Sequence, residues 1–221
     1  MRLFGRFVLV AAITIALGAP PASAGGPGGH HHPGPEPEVL TVTGSFTATG
    51  QLLGGCGDFH QIVDGGGGWS ALGESTFNLD FCIANTPTTE PGWPVLDGGT
   101  FTVTAADGTL SGALTGWVDA TGTPPPGGGF PTEFPAHLVL TVSAGSGRFA
   151  AATGSLALDG IFGPAAATFA GDVSGTITIP PPTPQTVRDC RHGGWRHVVD
   201  DRGRPFRNQR QCIAFVRRHR A

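Results

Sequence analysis

The sequence lacks several features that mark common classes of enzyme. It contains no lysine, so the Gly-Lys-Ser/Thr end of a Walker loop is missing. It also has no C-x2-C spacing typical of zinc sites and no G-x-S-x-G elbow of a hydrolase. Charged residues make up only 13% of the chain and apolar residues 39%, although glycine and proline account for about a quarter. This balance indicates a folded, glycine-rich β protein rather than a disordered chain.

Long hydrophobic runs are absent as well. The longest, Phe7 to Leu17, is shorter than the roughly 20 residues of a membrane-spanning helix, so we expect no transmembrane segment. The run follows a short cationic start and precedes Ala22-Ser23-Ala24, which is the order of a secretory signal peptide over residues 1–24. We predict cleavage between Ala24 and Gly25, and a secreted, extracellular protein. A buried N-terminal helix is the alternative, which Pro20-Pro21 disfavours.

Composition divides the remaining chain into four segments. Residues 25–38 are interpreted as a flexible Gly/Pro/His linker, where His30, His31 and His32 lack surrounding groups to orient a metal ion. The prolines of residues 181–187 predict a second, stiff linker. They separate a predicted β domain, residues 39–180, from a basic C-terminal module, residues 188–221. No motif indicates a metal site or a cofactor.

Charge is distributed very unevenly between these segments. Residues 25–187 hold thirteen acidic residues and one base, Arg148, whereas residues 188–221 hold ten arginines and three acidic residues. The arginines need an anionic partner. This is either the acidic region of the same or a neighbouring molecule, or an external polyanion such as an envelope polymer, a lipid or nucleic acid. We expect no sequence-specific nucleic-acid reader, because no groove-entering motif occurs.

Between residues 39 and 180, apolar residues alternate with threonine and serine at a period of two, which predicts β-strands. The alternation is clear from Val42 to Leu52, from Phe101 to Ala105 and from Leu110 to Val118. Asp107-Gly108 predicts a tight hairpin turn between two of these runs. Gly65 to Gly68 is interpreted as a mobile loop. No 3.6-residue periodicity indicates a helix in this region.

About eight such runs without helices predict an all-β, antiparallel fold, either a β-sandwich or a closed barrel. Glycine recurs on the apolar face, where it weakens a strand unless the sheet bends or packs closely; the positions are Gly44, Gly50, Gly112, Gly116, Gly171 and Gly175. This favours an eight-stranded closed barrel, which also removes exposed sheet edges.

The four cysteines, an even number in a chain expected to be exported, predict disulfides. Three pairings are possible. We favour Cys56 with Cys82 and Cys190 with Cys212, because each pair closes a short segment within one region, whereas the other pairings cross the proline-rich linker.

The stretch from Leu138 to Leu156 resembles known barrel families. Its Gly145-Ser146-Gly147-Arg148-Phe149 turn, followed by Ala150-Ala151-Ala152-Thr153-Gly154, is similar to the strand and G-x-G-x-F turn of allene oxide cyclase-like and dirigent-like barrels. It also resembles the G-G-T-G-R-F-A-G-A-T-G signature of many secreted bacterial proteins. The resemblance implies an eight-stranded barrel with a largely apolar interior, and it carries no catalytic residue over to this chain.

Acid–base candidates in the β region are Asp58, His60, Asp64, Glu74, Asp80, Glu133 and His137. Asp58 and His60 lie closest together in sequence, and residues two apart on a strand share a face. A carboxylate beside an imidazole can tune a general base. An exposed polar strand end explains the pair equally well, and His137 is expected on the surface.

The basic module resembles a C-terminal module of secreted bacterial proteins, C-x-x-G-G-W…F-[KR]-N-Q-G-x-C-[VI]-x-[FY]-V. Here it runs from Cys190 to Val216, with Arg210 in place of the usual glycine, and the resemblance implies a small disulfide-stapled unit. From the residues themselves, Asn208 is expected to cap a short helix through Val216. The helix positions predicted to face Trp195 and Phe206 are Cys212, Phe215 and Val216.

The sequence thus predicts a secreted, non-enzymatic barrel protein. It would bind a small apolar ligand, or associate with an anionic envelope polymer or lipid through Arg188 to Ala221. The alternative is a small-molecule isomerase or cyclase acting in the barrel mouth, with Asp58 and His60 as the candidate catalytic pair.

Overall fold

A computed structural model describes residues 34–53, 56, 59–84, 92–119, 132–163 and 167–219. Several predicted features lie outside the described residues: the signal peptide with Ala24 and Gly25, the histidines His30, His31 and His32, and the candidate Asp58. Among the residues that are described, no helix is long and apolar enough to cross a membrane.

The β region forms a closed barrel of eight antiparallel strands in sequential order, with the last strand pairing back to the first. The strands are β1 (Glu38–Leu53), β2 (Phe59–Trp69), β3 (Gly73–Ile83), β4 (Trp93–Ala105), β5 (Gly108–Val118), β6 (Phe134–Gly145), β7 (Thr153–Gly163) and β8 (Thr168–Ile179). The predicted eight-stranded closed barrel is confirmed, and the sandwich alternative is not adopted. Cys56 is bonded to Cys82 of β3, as predicted.

The two-residue alternation explains the barrel interior. In β1, Val42, Phe46 and Ala48 are buried, while the threonines and the serine between them are exposed. Inward-facing residues of all eight strands join in one apolar cluster. Leu140 of β6 lies at its centre, fully buried between its cross-strand partners Leu114 and Leu156. The core is therefore built from the apolar face that the sequence pattern predicts.

Glycines on the apolar face allow neighbouring strands to approach closely, as expected. At five of the six positions a Cβ atom would collide with the backbone of a neighbouring strand, namely at Gly44, Gly112, Gly116, Gly171 and Gly175. Gly50 is the exception, because the nearest atom to its Cβ would be a side-chain carbon of Val63 at 3.5 Å.

The prediction of a mobile loop at Gly65 to Gly68 is wrong. These residues belong to β2 and pair with β3 in unbroken register, from Gly65 opposite Phe77 to Gly68 opposite Glu74. A Cβ at Gly65 would meet the Phe77 ring at 2.5 Å, so glycine makes room for the aromatic core here. Glycine has no side chain with which to display a period, and sequence patterning therefore misses this strand.

The predicted hairpin joins β4 to β5, but its turn is shifted by one residue. Ala105 pairs with Gly108, so that Ala106 and Asp107 form the turn and Gly108 begins β5 with a φ of 151°. A Cβ at Gly108 would collide with the carbonyl oxygen of Ser146. Glycine is therefore required by the close approach of the next turn rather than inside the hairpin turn itself.

The single base of the β region lies at the same end of the barrel as this hairpin. Arg148 sits in a short 3-10 turn after β6, where its Nη2 donates to Oε1 of Glu38 at 2.7 Å and its Nη1 lies 3.9 Å from Asp107. Strand β8 also ends here, at Ile179. This end therefore connects the barrel to the basic C-terminal module.

Candidate functional site

The basic module, described over residues 188–219 and called the tail below, has an apolar cluster of its own. Cys190 and Cys212 are joined by a disulfide and fully buried, and Val198, Phe206 and Val216 are buried beside them. The rings of Phe206 and Phe215 lie 5.4 Å apart, and Trp195 packs against the cluster. The predicted disulfide and packing are confirmed. So small a core needs the covalent link to stay folded.

The two glycines of the C-x-x-G-G-W stretch each have a structural reason. Gly193 follows His192, and both have positive φ, 87° and 51°. Gly194 packs so closely that a Cβ there would collide with the carbonyl oxygen of Asp189. The turn aims Trp195 at the tail cluster, so this part of the motif is explained by folding.

Two of the three tail carboxylates hold backbone in place. Asp189 accepts hydrogen bonds from the backbone N–H groups of Thr186 at 2.7 Å and Gln185 at 2.8 Å, and these bonds lower its pKa. Burial raises the pKa of Asp200, but bonds from the Arg204 side chain and from the backbone of Arg204 and Arg202 outweigh this effect, and the net direction is down. Both carboxylates therefore stabilise turns of the tail.

The helix α1 (Gln209–His219) carries the most regular charged surface of the tail. Oδ1 of Asn208 accepts a bond from the backbone N–H of Gln211 at 2.9 Å, which confirms the predicted cap; the helix extends three residues beyond the predicted end. At 100° per residue, Arg210, Arg217 and Arg218 lie on the side opposite Cys212 and Val216. We call these three arginines, with Ala214 between them, the arginine face.

All nine described tail arginines are exposed. Arg204 is bonded to Asp200 at 2.7 Å, and within the described ranges it is the one tail arginine paired with a carboxylate. Arg196 lies over the ring of Trp195, and Arg218 donates to a carbonyl of its own helix. Thus no tail arginine among these pairs with an acid of the barrel in the same chain.

His60, one of the two catalytic candidates, lies on the outside of the barrel. The alternate residues Gln61 and Val63 point inward and are buried, whereas His60 Nε2 lies 2.6 Å from Oδ1 of Asp80 on β3. This contact lies across two strands on the outer wall, not inside the barrel mouth. Asp64 is likewise external and accepts a bond from the Asn78 amide, while Glu74 and Glu133 are exposed.

The described interior of the barrel offers little chemistry. Its buried polar residues are Gln61 and Ser75, neither of which titrates. At the end of the barrel where β2 begins, a cavity of about 10 Å³ is lined by residues that include Gln61, Phe81 and Phe169. This is the volume of about one water molecule. The apolar ligand and the alternative enzymatic activity stay predictions, because the described inward residues enclose no larger cavity here and include no titratable group.

A second imidazole–carboxylate contact lies on the outer wall. His137 of β6 is as external as predicted, but its Nδ1 lies 2.5 Å from Oδ1 of Asp159 on β7, and Trp117 of β5 packs against its ring with centroids 5.9 Å apart. These residues are direct cross-strand partners. The sequence gives no sign of this row, because it depends on the register of three strands. A correct register would have revealed it.

A cleft of about 870 Å³ lies where the tail leaves the barrel. Its walls include Glu38, Arg148, Asp200 and the prolines 180–182, and Val199 of the tail donates to the carbonyl of Pro182 at 3.1 Å. Although the size suits a ligand, three of these charged groups already have partners within the protein. Over the described ranges, no group of three histidine, cysteine or acidic residues is placed to bind a metal ion.

The arginine face is therefore an exposed cationic surface without a carboxylate partner among the described residues, whereas the described interior of the barrel is filled. Comparison of the chain with protein-family models, with curated proteins and with solved structures finds no match.

Proposed function

We propose that this chain is an exported, non-enzymatic protein whose tail binds a polyanion rich in phosphate groups, such as an envelope polymer or an anionic lipid surface. The observation that carries the proposal is the arginine face: three exposed arginines on one side of a capped, disulfide-anchored helix, none of them paired with a carboxylate of the described chain.

The residue type suits this partner. Guanidinium groups bind phosphate through two parallel hydrogen bonds and stay charged at all physiological pH values. Arg210 and Arg217 are seven residues apart, which is about 10 Å along a helix axis. Such a spacing can engage successive phosphates of a polymer or neighbouring lipid headgroups.

The architecture supports the same role. The disulfide and the Asn208 cap hold α1 in place before binding, so that little ordering entropy is lost on association. The acidic β region repels a polyanion while the tail attracts it, which orients the molecule with its tail toward the polymer. The filled barrel then serves as a rigid, exported carrier.

The test is direct binding of the full mature chain to inorganic polyphosphate, followed by calorimetry or by fluorescence of a labelled polymer. Replacing Arg210, Arg217 and Arg218 together by glutamine should weaken binding by at least about tenfold. It should also make the negative slope of log K against log salt concentration shallower by about 2, since each lost phosphate contact removes about 0.7 to 0.9. The control replaces Arg188, Arg191 and Arg202 by glutamine, which removes the same charge elsewhere in the tail.

An equal loss in both triple variants would show that binding follows net charge and would overturn the role of the arginine face. Two further probes separate the sources of phosphate. Binding to polyphosphate but not to vesicles containing phosphatidylglycerol indicates an envelope polymer, and the reverse indicates a membrane surface. Absence of binding to both probes at low salt would overturn the proposal.

A further inference from the structure

Two aspartates on the outer wall of the barrel face each other, and no described arginine pairs with either of them. Asp159 of β7 and Asp172 of β8 are direct cross-strand partners, and both are exposed. Like charges placed opposite one another destabilise a sheet. His137 contacts Asp159, whereas Asp172 has no side-chain partner within the described ranges. We call His137, Asp159 and Asp172 the acidic row.

The surroundings of the acidic row leave it accessible and place no described arginine beside its carboxylates. The single base of the β region, Arg148, lies at the tail end of the barrel and is occupied by Glu38. Ile161, the next outward residue after Asp159 on β7, is 44% exposed. The row thus combines two carboxylates with a small apolar contact on an exposed sheet.

The tail of the same chain does not cover this surface. No described tail arginine pairs with a barrel acid. Strand β8 continues for seven residues from Asp172 to Ile179 before the chain leaves the barrel, which at about 3.3 Å per residue is roughly 23 Å. No described arginine of the same chain pairs with Asp172, so we look for its guanidinium partner on another molecule.

We propose that the arginine face of one copy docks on the acidic row of a second copy. The two surfaces are complementary in charge, and each has an exposed apolar residue next to its charged groups, Ala214 on the helix and Ile161 on the barrel. Arg217 or Arg218 would form paired hydrogen bonds with the Asp172 carboxylate and relieve its repulsion with Asp159. Because the two patches differ, the contact is head-to-tail, and it extends into chains of molecules unless the rotation closes a ring.

This association does not rest on the proposed function, although it uses the same helix surface. A bound polyanion and a second copy would compete for the arginine face. Self-association is therefore expected in low salt without any polyanion, and added polyphosphate should dissociate the oligomers.

The experiment uses two charge reversals in the full mature chain, Asp172→Arg and Arg217→Asp, with sedimentation velocity up to about 1 mM protein in 20 mM salt. The unmodified protein should form a concentration-dependent series of oligomers, and each variant alone should be at least about tenfold weaker in association. Mixed together, the variants retain one intact patch of each kind. Association should return, because the intact arginine face of one variant docks on the intact acidic row of the other, and the two reversed patches are themselves opposite in charge.

Glu133→Arg is the control, since it reverses an exposed barrel acid outside the row and should leave the oligomer series unchanged. Asp172→Asn, which keeps the side-chain shape, should show the same direction of effect as Asp172→Arg and guards against misfolding. A monomeric unmodified protein at 1 mM, or a variant mixture that stays monomeric, would overturn the proposal. Neither result bears on polyphosphate binding, which is measured separately on the same proteins.

Discussion

The barrel and the tail of this protein keep their folds by different means. The barrel buries apolar side chains of eight strands in one core, and its glycines let the strands pack closely. The tail buries only a few such residues and depends on the Cys190–Cys212 bond, a helix cap and two carboxylates that hold backbone N–H groups. The region with the larger core offers little free chemistry, and the region with the smaller core presents nearly all of the unpaired cations.

This contrast bears on where function resides. The described interior of the barrel contains neither a titratable group nor a cavity larger than about one water molecule. In the tail, the side chains that fold the unit point inward, and the arginine face points outward. Folding and binding are thus assigned to opposite sides of the same helix, so substitutions can separate the two.

The largest expected effect is on the barrel core. Replacing the fully buried Leu140 by alanine should lower the free energy of unfolding of the barrel by about 2 to 5 kcal/mol, because it leaves a cavity between Leu114 and Leu156. Urea unfolding followed by circular dichroism measures the change. Thr141→Ala, at the next position on the exposed face of the same strand, is the matched control and should change stability by less than about 0.5 kcal/mol. Polyphosphate binding by the folded Leu140→Ala protein should be unchanged.

The next effect concerns the tail. Replacing Cys190 and Cys212 together by serine should destabilise the tail by about 3 kcal/mol and unfold it, because its apolar cluster is small. Hydrogen exchange read by mass spectrometry should show loss of protection over residues 209–219 while the barrel strands stay protected. The control, Cys56→Ser with Cys82→Ser, should leave the helix protected. A protected helix without its disulfide would show that the tail has another source of stability.

The sequence predicts best the features that depend on local pattern. Alternation around Phe46 identifies β1 and its inward face, and Asn208 identifies the helix start, because each depends on side chains close together in the chain. The disulfides follow from two short loops within separate regions. In all these cases the residues that determine the structure are also the ones that show the pattern.

Features that depend on strand register could not be predicted. The contacts of His60 with Asp80 and of His137 with Asp159 join residues 20 and 22 positions apart, and which residues meet is decided by the pairing of neighbouring strands. The loop prediction for Gly65 to Gly68 failed for a different reason. Glycine is needed there because a Cβ atom would collide with Phe77 or with the backbone of β1, and this requirement comes from neighbouring strands and not from a local preference for a turn. Asp58, the expected partner of His60, lies outside the described residues.

A smaller effect is expected from removing the helix cap, which should weaken the tail helix without unfolding the tail. Asn208→Ala removes the side-chain acceptor for the Gln211 N–H and should cost about 1 kcal/mol of helix stability. Fraying of the first turn moves Arg210 more than Arg217 or Arg218, so polyphosphate affinity should fall by less than in the triple variant. Asn208→Ser keeps a neutral side-chain acceptor and should bind as the unmodified chain does. Equal binding by all three proteins would indicate that Arg210 takes no part.

The smallest expected effect is on the response to acid, and it should appear in the tail before the barrel. The folded tail lowers the pKa of both Asp189 and Asp200 from a value of 3.8. A lowered folded pKa means that these carboxylates stabilise the tail above the unfolded value and that this stabilisation is lost as the pH falls below about 4 through the folded pKa. Exchange protection of residues 209–219 should therefore decline as the pH falls below about 4, while barrel protection persists. Asp200→Asn should destabilise the tail at neutral pH and make the loss of exchange protection in acid smaller. Asp201→Asn is the control: the Asp201 carboxylate lies 3.9 Å from His219, and its loss should have neither effect. Since arginine keeps its charge throughout this range, a parallel fall in polyphosphate binding would show that the tail needs its fold, and not only its charge, to bind.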